Sequence, residues 1–156
     1  TFRRLAGHAF EGVDYFFTAP EDFARLVEED ALLEHACVFG THSYGTPRSF
    51  VEEQFAAGRS VIMDIDVQGA LQIRERLPTR SCLVFVAPPS MAVLEERLRT
   101  RGTDREEAIA KRLATAQKEP AAWRHYDYLV LNDRLAQAVT DLDTIAAAHR
   151  LGIDPA

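Results

Sequence analysis

Cysteine is scarce in this sequence, with only Cys37 and Cys82 present. Their spacing suits no metal motif and nothing marks an oxidising compartment, so both are expected as ordinary buried or half-buried thiols. No apolar run approaches a membrane span and no signal-peptide pattern opens the chain, so the default expectation is a cytoplasmic protein that does not engage membranes. Positive charge is in the minority: 18 Lys and Arg against 24 Asp and Glu leave a net charge of −6. Such a surface repels phosphate backbones, which argues against general nucleic-acid binding, but it leaves room for a small basic pocket around one nucleotide. The five histidines show no metal spacing. Repeats, low-complexity tracts and linkers are missing. So is any Gly-x-x-x-x-Gly-Lys-Ser/Thr run, the loop whose backbone N–H groups cradle ATP phosphates. The first residue is Thr1 rather than Met.

What is present suits one compact domain: 156 residues, 47% of them apolar, enough for a real core. After a basic, irregular opening, Val13 to Thr18 is aromatic and β-branched and is predicted as a strand. Ala19-Pro20-Glu21-Asp22 opens a helix with Phe23, Leu26 and Val27 on one face. Leu33 to Phe39 reads as a short strand and Gly40 to Gly45 as a turn. Thr46-Pro47 reads as an N-cap followed by proline at the first helical position, with the helix stopping at Gly58. The pattern then changes. Val61-Ile62-Met63, Cys82 to Val86 and Tyr128 to Leu131 are continuous apolar runs, as expected of strands buried on both faces. Helices are predicted after Gly69, after Ser90, from about Asp104 to Lys118 behind a Thr103/Glu106 capping box, and from Asp133 to about Arg150. Strand–helix alternation with short buried strands argues for an α/β fold with a parallel sheet flanked by helices.

Three clusters could carry chemistry. Asp64 and Asp66 lie two residues apart at the end of a predicted buried strand, where open parallel sheets bind ligands. Their carboxylates suit a Mg²⁺ hydration shell, a sugar or a base, or else they cap the following helix. Glu34, Tyr44 and Thr46 flank a Gly-bounded turn. A carboxylate accepts two parallel N–H bonds, which guanine N1 and N2 offer and adenine does not, although a solvated Glu and a packing Tyr would read the same way in sequence. The third cluster is basic: Arg3 and Arg4 near the start, then Arg97, Arg99, Arg101, Arg105 and Arg112 around a Gly-Thr-Asp turn. Arginine forks bind phosphate and neutralise a transferring phosphoryl group. Interleaved Glu95, Glu96, Glu106 and Glu107 offer the alternative of a solvated, ion-paired helix face, to which Arg99 and Arg105 are assigned.

The segments Gly12 to Phe17 (GVDYFF), Phe39 to Arg48 (FGTHSYGTPR), Asp64 to Gly69 (DIDVQG), Ala87 to Ser90 (APPS), Arg101 to Asp104 (RGTD) and Leu131 to Asp133 (LND) together resemble the guanylate kinase family, in its order and over essentially the whole chain. The resemblance implies a P-loop kinase-like parallel sheet with a small mixed-β GMP-binding insertion (about 1–58), a core (about 59–99 and 119–156) and a helical lid (about 100–118). It implies transfer of the γ-phosphate of ATP to GMP with Mg²⁺, giving GDP and ADP, in a monomer or small homo-oligomer. Glu34, Thr46 and Asp66 would contact guanine. Arg3, Tyr15 and Tyr44 would hold the GMP phosphate. Arg97, Arg101 and Arg112 would stabilise the transferring phosphoryl, Asp64 would sit near the metal, and Asn132 would lie on the adenine side. The acceptor is already an anion, so the reaction asks for positioning and charge neutralisation rather than a strong base.

The family's phosphate-cradling loop and first strand would precede Thr1. Their absence leads to the expectation of an amino-terminally truncated chain, inactive alone. In the opening segment Phe2, Ala6 and Ala9 stand where the family carries a small hydroxyl residue, an arginine and an acid, with Arg4 able to replace that arginine after a register shift. The turn before Tyr44 carries one extra residue at His42-Ser43. Two alternatives are a guanylate kinase-like scaffold that has lost ATP binding and a kinase acting on another phosphorylated acceptor, such as a sugar.

Overall fold

The computed structural model describes residues 16–38, 42–102 and 105–151, and the chain divides after Pro78 into two compact units. Helix α1 (Pro20–Glu28) starts where proline is tolerated, with Glu21 and Asp22 complementing the positive end of its dipole. Phe23, Leu26 and Val27 are half-buried, as their spacing predicts. The chain then reverses at Asp30, a non-glycine residue at φ 53°. Asp30 is held by its partners: its carboxylate takes Arg48 at 2.6 Å and Arg76 at 2.8 Å.

Strand β1 (Leu32–Val38) pairs antiparallel with β2 (His42–Pro47), setting Glu34 opposite Thr46, His35 opposite Gly45 and Ala36 opposite Tyr44. The turn expected over 40–45 is therefore largely strand, because pairing with β1 gives its backbone groups partners that local sequence cannot reveal; residues 39–41 lie outside the described ones. Gly45 allows the close approach, since a Cβ there would stand 2.8 Å from both the Glu34 carbonyl oxygen and Leu32 Cδ1. Helix α2 (Arg48–Ala56) follows directly and gives way to Gly58 at φ 70°. Its N-cap is Pro47, not Thr46 as expected, because Thr46 stays in the ladder and spends its hydroxyl elsewhere.

Residues 59–66 form no ladder, so the strand expected at Val61–Met63 is not there: no described segment pairs with it, and Ile62 is 92% exposed. Helix α3 (Val67–Arg76) begins at Asp66, whose Oδ1 accepts the Gly69 N–H at 2.9 Å. It packs on β1, and Leu32, Leu33, Ala36, Val51, Ala70 and Ile73 make the core of this unit.

In the second unit, β3 (Val84–Ala87) and β4 (Tyr128–Leu131) form the expected parallel pair. Asp127 sets its register by accepting the Leu83 N–H at 2.8 Å and donating its own N–H to the Leu83 carbonyl at 2.9 Å. Between the strands run α4 (Met91–Arg101), α5 (Glu106–Lys118) and a 3₁₀ turn (Glu119–His125); α6 (Leu135–Leu151) follows β4. Ser90 caps α4 as expected, accepting the Val93 N–H at 3.2 Å, and Gly102 ends it at φ 64°. Among the described residues of this unit, Leu83, Ile109, Val130 and Ala138 are the buried apolar ones. No described helix is long and apolar enough to cross a membrane. Residues 13–15 of the predicted strand at 13–18 lie outside the described residues, and 16–18 carry no strand; Thr103 of the expected capping box also lies outside them.

Candidate functional site

The first unit brings Glu34, Tyr44, Thr46 and Asp66 together. Glu34 is a strand residue and Thr46 its cross-strand partner, so their side chains share one face of the hairpin. Glu34 is fully buried, at 0% exposure, and Thr46 nearly so. The Thr46 hydroxyl donates to Glu34 Oε1 at 2.7 Å. The other carboxylate oxygen, Oε2, is buried and accepts no hydrogen bond from the described residues. Buried polar atoms without a partner are rare because leaving one unpaired costs about 1–3 kcal/mol, more for a charged group. Burial pushes the Glu34 carboxyl above its ordinary range; the Thr46 hydroxyl pulls it back, and the charge of Asp66 pushes it up again.

Asp66 joins this acid to α3. It caps the helix, and it also hydrogen-bonds the Tyr44 phenol. Burial, then the Asp66 charge, then that hydrogen bond drive the Tyr44 hydroxyl to titrate far above its usual value, so Tyr44 acts here as a neutral donor. Of the two readings of Asp66 in sequence, the structure shows the helix cap. Asp64, by contrast, is exposed.

Two positions of this site carry no obvious signal in sequence. Gln72 on α3 accepts the His35 N–H at 3.1 Å and donates to the His35 carbonyl at 2.8 Å, matching the free edge of β1 as a neighbouring strand would. Gly69 lies against Glu34: a Cβ there would sit 2.7 Å from Oε2. The one sequence hint is that Gly69 closes the Asp64 to Gly69 segment.

The second unit holds Arg97, Arg99, Arg101, Arg105 and Arg112 of the basic cluster. Arg97 on α4 donates to the carbonyls of Asn132 at 2.7 Å and Asp133 at 3.2 Å, fixing the loop that leaves β4. The Asn132 N–H in turn donates to the Ala87 carbonyl at 2.8 Å. Arg101 is exposed at the end of α4 and Arg112 half-buried on α5. Arg99 is paired with Glu95 at 2.9 Å and Glu106 at 2.7 Å, as the ion-paired alternative anticipates. Arg3 and Tyr15 lie outside the described residues.

An antiparallel hairpin carrying a buried acid, a helix-capping acid and a parallel strand pair with helices between and after its strands make this an α/β protein. The sequence model of the guanylate kinase family matches residues 1–149, and the chain belongs to that family. The guanylate kinase of Escherichia coli K12 is 49% identical over 141 residues, covering 90% of this chain and 67% of that protein. The guanylate kinase of Carboxydothermus hydrogenoformans is 45% identical over 141 residues, covering 90% and 68%. The crystal structure of guanylate kinase from Anaplasma phagocytophilum superposes with a TM-score of 0.77 at 30% identity, covering 96% of this chain and 72% of that one.

Proposed function

We propose that this chain binds GMP as the acceptor in phosphoryl transfer from ATP, with Glu34 reading the guanine base. The observation that carries the reading is the Glu34 carboxylate, fully buried, with one oxygen on Thr46 and the other without a hydrogen-bond partner among the described residues. Guanine N1–H and N2–H together supply the donors that such a group lacks. Adenine offers an acceptor at N1, which would face a carboxylate oxygen, so discrimination follows from an unpaired buried charge rather than from pocket size. Thr46 fixes one carboxylate oxygen, Asp66 adds a second acceptor, and Tyr44, kept protonated, turns its single O–H from Asp66 to an anionic group of the ligand on binding. The relatives named guanylate kinase share enough sequence to make this acceptor the natural assignment.

Arg3 and Tyr15 are assigned to the GMP phosphate with Tyr44. Arg101 and Arg112 are assigned to neutralising the transferring phosphoryl. Arg97 is placed with them, and two of its donors hold the loop bearing Asn132, the proposed adenine-side contact. Mg²⁺ held mainly by nucleotide phosphates needs only one or two protein carboxylates, often through water. Asp64, exposed and acidic, fits that modest demand. When bound, the ion supplies charge neutralisation at the phosphates.

Calorimetry with GMP, IMP and AMP tests the assignment. GMP is expected to bind at least about 100-fold more tightly than AMP. IMP, which lacks the N2 amine, should fall between them, weaker than GMP by roughly 10-fold for one lost hydrogen bond to a charged group. Equal affinity for GMP and AMP would contradict the reading.

A further inference from the structure

The geometry points to Gly69 as a positioning residue for guanine recognition: it carries no side chain so that the Glu34 carboxylate can occupy its buried position. This rests on the proposed role of Glu34. Gly69 lies in the first turn of α3 and is itself buried. Its backbone is helical rather than left-handed; among the described residues only Gly58 and Gly102 have positive φ. Nothing in the conformation therefore calls for glycine, and alanine would favour the helix. The obstacle to alanine is Glu34: the added methyl would stand 2.7 Å from Oε2, inside any tolerable contact, and 3.4 Å from the Glu34 carboxyl carbon.

Neither partner can move aside easily. Asp66 caps α3 through the N–H of Gly69 itself, at 2.9 Å. Gln72, one turn on, ties α3 to the His35 backbone at both N–H and C=O, next to Glu34. The Thr46 hydroxyl holds Oε1 at 2.7 Å. The remaining freedom is rotation of the carboxylate, which would carry Oε2 away from where it receives the base. A helix-weakening glycine is thus kept where it controls the orientation of the acid, and its substitution should damage ligand recognition through Glu34.

A double-mutant cycle with GMP separates this from a merely structural role. Gly69→Ala, Glu34→Ala and the double variant are titrated with GMP and AMP and melted alongside the wild type. Gly69→Ala is expected to weaken GMP roughly 10- to 100-fold, with little effect on AMP. In the Glu34→Ala background it should cost no further affinity, and it should raise the melting temperature above that of Glu34→Ala, because the methyl then meets no carboxylate. The comparison of Glu34→Ala with the double variant still decides if Gly69→Ala alone folds poorly. Wild-type GMP affinity in Gly69→Ala, or an equal loss in both backgrounds, overturns the role of Gly69 while leaving that of Glu34 standing. A wild type that binds GMP no better than AMP overturns both.

Discussion

At the scale of the residue, Glu34 sets function against stability. Its folded-state proton affinity is raised chiefly by burial. The folded chain therefore holds this proton to higher pH than the unfolded chain does. The resulting stabilisation is complete below the ordinary carboxylate range and is lost as pH rises through the folded-state value. Glu34→Gln keeps the shape, still accepts from Thr46 and removes the charge. It should melt a few degrees above the wild type at neutral pH, with the gap closing on acidification, as thermal melts across pH will read. The same variant should lose most of its GMP affinity, because an amide presents a donor where guanine also presents one. Binding favours the ionised carboxylate, so GMP affinity in the wild type should decline on acidification from a pH above the ordinary Glu range. Titrations in buffers of different ionisation enthalpy should show a proton released on binding as the pH approaches that point.

At the scale of the element, α3 is the support on which the hairpin's acid is oriented. Its cap, Asp66, has two duties that substitution can separate. Asp66→Ala removes the cap and should cost about 1 kcal/mol, or roughly 2–4 °C in Tm for a chain of this size. Asp66→Ser restores a capping oxygen and should recover most of that stability, yet not the GMP affinity, since the carboxylate beside Glu34 and Tyr44 is gone. Parallel melts and GMP titrations of both variants check this. Equal recovery of stability and affinity by serine would reduce Asp66 to a cap alone. The elements also show what sequence can and cannot convey. Pro20 and Ser90 mark helix starts through local chemistry, and those starts fall where local reasoning places them. Thr46-Pro47 misleads because the same hydroxyl that could cap a helix is taken by Glu34 twelve residues earlier, a partner chosen by strand pairing. The apolar run at Val61–Met63 misleads for the matching reason: a strand exists only with a neighbour, and no described residue supplies one.

At the scale of the whole molecule, the residues assigned to guanine precede Pro78 and Arg97, Arg101 and Arg112 follow it, each unit having its own core. Leu83→Ala in the second unit should lower stability by about 2–4 kcal/mol through the cavity left in its core. GMP affinity of the folded fraction should stay unchanged, because every side chain assigned to guanine precedes Pro78; denaturant melts with GMP titration below the transition read both. Motifs in register make the family and the parallel strand pair legible from sequence, since glycine, proline and acid spacings record backbone needs. The roles of Gly69 and Gln72 stay hidden there, because they consist of a distance to another element, 2.7 Å to Glu34 Oε2 in one case and two bonds to His35 in the other. The claim on which the rest depends is that Glu34 Oε2 accepts a hydrogen bond from the guanine edge. Proton NMR of GMP labelled at N1, bound to the chain, tests it most directly. A slowly exchanging imino resonance with cross-relaxation to the Glu34 and Thr46 side chains, lost in Glu34→Ala, is predicted; an imino proton that exchanges as in free GMP, while the nucleotide is bound, would contradict it.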